Sequence, residues 1–259
     1  MNLDPNLGLT QFLTAALFVG LRIGGLMTFA PFFNSLSIPM QVKAGLTLVL
    51  TLLAAPLYAG QVPQIADGRW VIVILQEAAL GLGMGLAVQF VFEGAQLAGH
   101  VLGFQFGYSL VNIIDPQSQV DTPVLSVFHN TAATLLFLNL NVHFWLLRGI
   151  MHSFIAVPPG SAVVSASAVS GLLGAAGSMW QIALQIAAPA LAVTLLVDIT
   201  VGFLSRAMPQ LPVLTIGLSL KALVGYAAIG LGMTFWPTLF DEYFMNALRT
   251  SERLLHVMH

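Results

Sequence analysis

Six long apolar segments with hardly a charge dominate this sequence, and they constrain the fold more strongly than any single motif. About 20 consecutive apolar residues are enough for a helix to span a bilayer. Only 7% of the 259 residues are charged, whereas a soluble domain carries about 25%. The sequence therefore predicts an all-α integral membrane protein with about six long hydrophobic helices, some broken or kinked, arranged in helical hairpins. The segments comprise residues 9–33, 40–58, 70–100, 124–147, 180–204 and 213–236.

The composition argues against several classes of function. The net charge of −2 gives no electrostatic support for binding nucleic acid, so no nucleic-acid partner is expected. The chain has no cysteine, which excludes disulfides, thiolate metal ligands and a cysteine nucleophile. No two of the six histidines have the i, i+4 spacing of a helical metal site, so no metal is expected. Without a nucleophile elbow, a phosphate loop or a paired acid and base, the sequence predicts a protein that is not an enzyme and needs no cofactor.

Residues 103–123 form the clearest polar interruption of the apolar pattern. Pro116 and Pro123 lack an amide hydrogen and disfavour the α conformation in the residue before them, so a continuous helix is not expected here. One interpretation is an ordinary hydrophilic loop between membrane segments. The other is a backbone break at membrane depth, which is tolerated where it is buried in protein or lines a watery path.

Lipid exposure would be costly for charged residues within or beside the apolar segments, and six of them are singled out because each is expected to face protein or water. For Arg22, the alternative is a side chain that reaches the membrane interface. Glu77 and Glu93 are 16 positions apart, about 24 Å along a helix, which is too far for a paired acid and base. Together with Asp198, these carboxylates leave open a small proton-coupled secondary transporter as an alternative function. The six residues are Arg22, Glu77, Glu93, Asp198, Arg206 and Lys221.

The last two apolar segments are joined by a break around Pro209 and Gln210, which indicates a helical hairpin. Because the hairpin is centred near residue 209, Asp198 is expected roughly opposite Lys221, with Arg206 as a further charge nearby. Buried charges within a membrane usually neutralise one another. An ion pair that fixes the hairpin is therefore expected, and it requires no transported ion.

Two further stretches differ from a plain membrane span. Residues 161–177 are almost all small, which fits either close helix packing or a flexible linker. Residues 237–259 have apolar side chains at helical spacing, with acidic residues at the start and arginines near the end. This C-terminal amphipathic helix is expected to lie on a membrane surface or against a partner.

An ordered set of residues along nearly the whole chain resembles the FliR family, the type III export-gate proteins of bacterial flagella, which have a counterpart in virulence secretion systems. No single motif is sufficient for this resemblance, which rests on the order of all these residues along the chain. The set comprises Arg22 to Met27 with Pro31, Ile38-Pro39 with Lys43, Glu77 with Gly81 and Gly85, Gln105-Phe106-Gly107 with Asp115-Pro116, Ala188-Pro189, Arg206, Pro209-Gln210 and Lys221.

The resemblance implies a subunit of the flagellar export gate in the bacterial inner membrane, at the flagellar basal body. Its partners would be FliP-like and FliQ-like membrane subunits, FlhB-like and FlhA-like export proteins, membrane lipid and the unfolded export substrates. The whole chain would form one export-gate domain. Within it, residues 1–180 would be the FliP-like part, 181–236 the FliQ-like hairpin with Pro209 and Gln210 at its tip, and 237–259 the amphipathic tail.

The resemblance also assigns a role to the polar interruption: the loop at 103–123 corresponds to a plug that closes the pore at rest. Apolar side chains can seal a narrow pore by packing and dewetting. The six charged residues described above would then make assembly contacts inside protein, without exposure to lipid. The expected plug residues are Phe106, Gly107, Tyr108, Val111, Ile113, Ile114, Asp115 and Pro116.

Overall fold

A computed structural model describes residues 5–31, 33, 38–66, 68–108, 124–210 and 212–257. Over these ranges the chain is helical and contains no strand, which confirms the all-α prediction. Five helices are long and apolar enough to cross a membrane, and a bent pair can form a sixth span. The helices are α1 (Pro5–Phe29), α2 (Met40–Tyr58), α3 (Trp70–Gln105), α4 (Val124–Asn139), α5 (Val142–Ala156), α6 (Ala166–Ala207), α7 (Val213–Gly232) and α8 (Trp236–Val257).

The chain divides into two compact units. The first comprises residues 1–90, 138–176 and 244–259, and the second comprises residues 91–137 and 177–243. Long stretches of α3, α6 and α8 belong to each unit, so the division does not follow the order of the helices along the chain.

Glycines bring α1 and α3 into backbone contact in the first unit. A Cβ atom on Gly81 would lie 2.1 Å from the carbonyl oxygen of Arg22, and one on Gly85 would lie 2.8 Å from that of Leu26. On the facing helix, a Cβ on Gly25 would lie 2.8 Å from the carbonyl oxygen of Ala78. Small residues allow such close approach of helices in membrane proteins. The Gly81 and Gly85 pair therefore packs inside this chain.

The second unit uses the other end of α3 in the same way. A Cβ atom on Gly99 would lie 2.4 Å from Cα of Ser126 in α4, and one on Gly94 would lie 2.8 Å from Cβ of Ile182 in α6. The rings of Phe92 and Phe137 pack edge to face with centroids 5.6 Å apart. One long helix thus contributes glycine-lined packing surfaces to both units.

The apolar segment at 124–147 is not one helix, as the sequence predicted, but two. Helices α4 and α5 are separated by Leu140 and Asn141 and bent by 65° at this break. Asn141 has a φ of 57°, in the left-handed region that asparagine enters more readily than most residues. The short polar side chain of Asn141 therefore permits a break that apolar periodicity alone does not reveal.

The small-residue stretch is helical from Ala166, so α6 begins 14 residues before the predicted start at residue 180. The linker alternative is wrong for this part, because it is helical, although Ala168 is the only buried residue of 166–177. A Cβ atom on Gly83 of α3 would lie 3.4 Å from Leu172 of α6 and 3.6 Å from Leu254 of α8. Pro189 lies inside α6 without ending it.

The apolar face of the C-terminal helix α8 is covered by the chain itself. Phe240, Phe244, Leu254 and Leu255 are all buried. The hydroxyl of Ser251 on the same helix donates a hydrogen bond to the carbonyl oxygen of Met84 at 3.4 Å. This corrects the expectation that a membrane surface or a partner covers these side chains, because α3 and α6 had not been expected to provide a docking face.

Candidate functional site

A fully buried ion pair lies at the crossing of α1 and α3. Both the Arg22 and Glu77 side chains have no exposed surface. Nε of Arg22 donates to Oε2 of Glu77 at 2.8 Å, and Nη2 lies 2.7 Å from the same oxygen. The close approach of the helices at Gly81 places Glu77, one helical turn earlier, beside Arg22. Arg22 therefore faces protein, as the cost of its charge in lipid predicted.

The remaining polar atoms of this ion pair bind the end of α5 and the turn that follows it. Nη1 of Arg22 donates to the carbonyl oxygens of Ser153 and Val157, both at 2.9 Å. The backbone N–H of Gly160 donates to Oε1 of Glu77 at 2.7 Å. Gly160 has a φ of 88°, a conformation that a side chain would strain. The pair thus fastens the turn after α5 to the crossing of α1 and α3.

Aromatic side chains complete this buried charge cluster. Cζ of Arg22 lies 4.6 Å from the ring centroid of Phe154, within the range of a cation–π contact. The ring of Tyr58 in α2 packs against Phe154 with centroids 5.1 Å apart. The cluster therefore joins α1, α2, α3 and α5. Its chemistry is structural, because a carboxylate held by a guanidinium and a backbone N–H is poorly placed to exchange protons with a substrate.

A second polar cluster lies in the second unit, where α3 ends against the α6–α7 hairpin. Nε2 of Gln105 donates to Oδ2 of Asp198 at 3.2 Å. Oδ1 of Asp198 forms an ion pair with Nζ of Lys221. This contact between Asp198 and Lys221 was expected, because the two residues lie at similar distances in sequence from the hairpin tip near residue 209. Its attachment to Gln105 links the ion pair to the end of α3.

Phe106 and Tyr108 continue this contact beyond the end of α3. The buried ring of Phe106 packs edge to face on Tyr226 of α7, with centroids 5.4 Å apart. A Cβ atom on Gly225 would lie 2.3 Å from Cζ of Phe106, so the ring occupies a notch that only glycine leaves open. The hydroxyl groups of Tyr108 and Tyr226 are hydrogen-bonded to each other. Residues 105, 106 and 108 are therefore all held by the hairpin, and we call this set the hairpin contact.

The other residues that the sequence singled out are dispersed. Glu93 is half-buried in α3, while Arg206 is exposed near the end of α6, so its burial within an assembly stays a prediction. Pro209 and Gln210 lie in the turn after α6. Gly107 lies between Phe106 and Tyr108 of the hairpin contact and has a φ of 82°. The remaining expected plug residues lie outside the described residues; they are Val111, Ile113, Ile114, Asp115 and Pro116.

Sequence reasoning missed several partners in these clusters. Ser153 and Val157 bind Arg22 through backbone carbonyl oxygens, which no side-chain pattern reveals. Gly160 had a visible signal, because it follows Pro158 and Pro159 and such a Pro-Pro-Gly run is typical of a turn. Gly225 and Tyr226 had none, because a glycine in an apolar helix does not indicate which ring it accommodates.

Known proteins match this chain over most of its length. The family described as "Bacterial export proteins, family 1" matches residues 13–247. The flagellar biosynthetic protein FliR of Escherichia coli K12 is 32% identical over 230 residues, covering 86% of this chain and 87% of that protein. FliR of Bacillus subtilis 168 is 30% identical over 244 residues, with 93% and 94% covered.

A relative with a different name is also similar. The surface presentation of antigens protein SpaR of Salmonella typhimurium is 27% identical over 230 residues, covering 89% of this chain and 84% of that protein. The matched residues include both clusters described above. The chain therefore belongs to family 1 of the bacterial export proteins, the family that includes the flagellar biosynthetic protein FliR.

Proposed function

We propose that this chain is a subunit of the flagellar type III protein export gate. With FliP-like and FliQ-like subunits it would form the inner-membrane pore through which unfolded substrates leave the cytoplasm, beside FlhB-like and FlhA-like proteins at the basal body. The observation that carries the proposal is membership of the export family over residues 13–247. This role requires assembly and positioning of helices, and no catalytic group.

The lengths and surfaces of the helices support a role within an assembly. Helices α3 and α6 have 36 and 42 residues, which correspond to about 54 and 63 Å at 1.5 Å per residue. The hydrocarbon core of a bilayer is only about 30 Å thick. Parts of both helices therefore extend beyond a simple span. Their apolar side chains, such as Leu173 and Phe203, are exposed on this chain and are suited to cover by other subunits or by lipid.

The hairpin contact supports a plug function for residues 103–123. Phe106 and Tyr108, which are themselves among the expected plug residues, fix the first part of this loop on the hairpin. A plug needs such a fixed base, because otherwise it cannot return to the same position after a substrate has passed. The hairpin that provides this base corresponds to the FliQ-like part at residues 181–236. The fixed base also accounts for the placement of Gly107, whose positive φ turns the chain away from α3.

The transporter alternative receives less support. It would use Glu77, Glu93 and Asp198 to carry protons. Glu77 is held by Arg22 and Gly160, and Asp198 is held by Lys221 and Gln105. A carboxylate that releases a proton in each cycle must lose such partners in each cycle, which is costly for a buried pair. Substrate uptake by the purified chain alone in vesicles would nevertheless establish the transporter function.

The first test is the composition of the complex. A tagged copy of the chain would be extracted in mild detergent and weighed by native mass spectrometry. We expect one copy of this chain with several copies of two smaller membrane proteins. A monomer or homodimer, from a host that also expresses those two proteins, would contradict the proposal.

The second test concerns the plug. Replacing residues 109–121 by a glycine–serine linker of equal length keeps the connection but removes the apolar side chains. We expect the assembled pore to become leaky to ions in a planar bilayer. The control is Gly230→Ala in α7, which leaves the segment intact and whose added methyl group would meet no heavy atom within 4 Å. Equal conductance of the linker variant and the unchanged complex would contradict the plug assignment while leaving the export-gate proposal in place.

A further inference from the structure

An open groove of about 770 Å³ lies between α1 and α2 in the first unit. It extends from Met40 to Leu52 along α2, a distance of about 18 Å at 1.5 Å per residue. Ala16 and Gly24 of α1 and Ala44 of α2 contribute almost no side-chain bulk to it. The size and length of the groove match a few turns of another helix, and small residues are typical of surfaces where membrane helices pack closely.

Threonines line the groove without making it polar. The hydroxyls of Thr28, Thr47 and Thr51 each donate to the backbone carbonyl oxygen four residues earlier, at 2.8, 2.9 and 2.7 Å. Such bonds satisfy the hydroxyl within its own helix. Along most of the groove, an occupant therefore does not need to form hydrogen bonds with these hydroxyls.

Lys43 is the exception. It lines the groove near the start of α2 and is half-buried. Among the residues that the structure describes, Lys43 has no ion-pair partner. An unpaired ammonium group in an apolar membrane groove is costly, and such groups usually pair with a carboxylate. The groove thus contains a positive charge at one end and a surface for close apolar packing along the remainder.

We propose that this groove binds a membrane helix of another export subunit, and that the helix carries an Asp or Glu that pairs with Lys43. The inference rests on the proposed function, because it requires partner subunits in the membrane. A lipid could offer its phosphate to Lys43, but a flexible acyl chain would not need the small side chains of Ala16, Gly24 and Ala44, which allow close approach of a helix. A second copy of this chain would have to present one of its own carboxylates. The carboxylate of the bound helix lies at the Met40 end, and its small or apolar residues lie against Ala16, Gly24 and Ala44.

Photocrosslinking of the complex tests this inference. A benzophenone residue would be placed at Leu48, which lines the groove, and in a matched variant at Leu53, which lies outside it on the same helix. The two side chains have similar exposure, 59% and 67%. We expect the Leu48 probe to form an adduct with a membrane helix of another subunit, with an Asp or Glu within about two turns of the attached residue. The Leu53 probe should not label that helix.

Charge exchange provides the decisive comparison. Lys43→Glu places two like charges together, so the adduct from Leu48 should fall by more than about tenfold. Lys43→Arg should retain it. Because Lys43→Glu can also impair insertion, the variant is combined with replacement of the partner's carboxylate by lysine, which should restore the adduct.

Three results would overturn the inference: adducts with lipid or with a second copy of this chain, an adduct helix without a carboxylate, or an unchanged adduct in Lys43→Glu. If partner subunits are present by native mass spectrometry but the groove probe gives one of these results, only this inference fails. If no partner subunit co-purifies at all, the proposed function fails as well.

Discussion

The ring of Phe106 occupies the space in which Gly225 would otherwise carry a side chain, with Cζ only 2.3 Å from the position of a Cβ atom. Because Phe106 lies one residue beyond α3 and Gly225 lies in α7, this contact fixes the end of one helix on another. Phe106 belongs to the hairpin contact together with Gln105 and Tyr108, and Gly225 leaves the space that its ring occupies.

Gly225→Ala should therefore displace Phe106. The added methyl group cannot coexist with the ring, and overpacking of this kind costs about 1–3 kcal/mol. We expect faster hydrogen exchange over residues 102–108 in the purified protein. Gly230→Ala is the matched control, because a Cβ on Gly230 of the same helix has no heavy atom within 4 Å. Equal exchange in both variants would show that the notch does not hold Phe106.

Glu77→Ala should destabilise the first unit strongly. It leaves the fully buried Arg22 without its counter-charge, and breaking a buried pair in this way costs about 3–5 kcal/mol. The free energy of unfolding would be measured in detergent by denaturant titration. The double variant Arg22→Met with Glu77→Leu removes both charges and should recover much of the loss. A double variant less stable than Glu77→Ala would mean that the pair contributes more than mutual neutralisation.

Gly81→Ala should separate α1 from α3, because the new methyl group would lie 2.1 Å from the backbone oxygen of Arg22. A helix backbone cannot move aside as a side chain can, so we expect a loss at or above the upper end of the 1–3 kcal/mol range for overpacking. Gly83→Ala is the control, since its methyl group would meet only the side-chain ends of Leu172 at 3.4 Å and Leu254 at 3.6 Å. That variant should be neutral or stabilised by up to about 1 kcal/mol through helix propensity. Similar melting temperatures for the two variants would contradict the assigned crossing point.

Lys221→Ala should impair assembly more than the stability of the isolated chain. Its partner Asp198 is 41% exposed on this chain, and a pair with that much solvent contact contributes only about 0–1 kcal/mol. We expect the proposed export complex to bury these charges, and an unpaired Asp198 would then be costly. Yield of the heteromeric complex is the measurement, and the exchange of both residues, Asp198→Lys with Lys221→Asp, should restore it. Normal complex yield with lost secretion would place the role of Lys221 in gating.

The helical architecture and one of the two ion pairs could be predicted from the sequence. Apolar length alone indicates membrane helices, and Asp198 and Lys221 lie at similar distances from one hairpin tip, so simple counting brings them together. Arg22 and Glu77 are different, because they lie in α1 and α3 with α2 between them in the sequence. Counting from one turn therefore does not place them opposite each other. The sequence indicated that each needs a protein environment, but the crossing at Gly81 is a tertiary feature that no local pattern specifies.

The helix boundaries that were predicted wrongly can be explained by local physical causes. The segment at 124–147 has the composition of one span, and the break at Asn141 depends on a single residue entering the left-handed region. Most side chains from Ala166 to Gly177 are too small to show apolar periodicity. The contacts of this part of the helix with α3 and α8 could therefore not be predicted from the sequence. The C-terminal helix α8 has a clear apolar face, but its docking surface is assembled from residues distant in sequence.

The buried charge cluster also has a consequence for the order of events during synthesis of the chain. Ser153 and Val157, which accept hydrogen bonds from Nη1 of Arg22, follow it by 131 and 135 positions. At 5–20 residues per second, the ribosome needs roughly 7–26 s to produce them after Arg22. During that time Arg22 has at most Glu77 as a partner. Arg22 and Glu77 can neutralise each other in that time, but Nη1 of Arg22 lacks these hydrogen-bond acceptors until α5 and the residue after it are synthesised. The packing of the first three helices around this ion pair therefore cannot be completed before α5 is present.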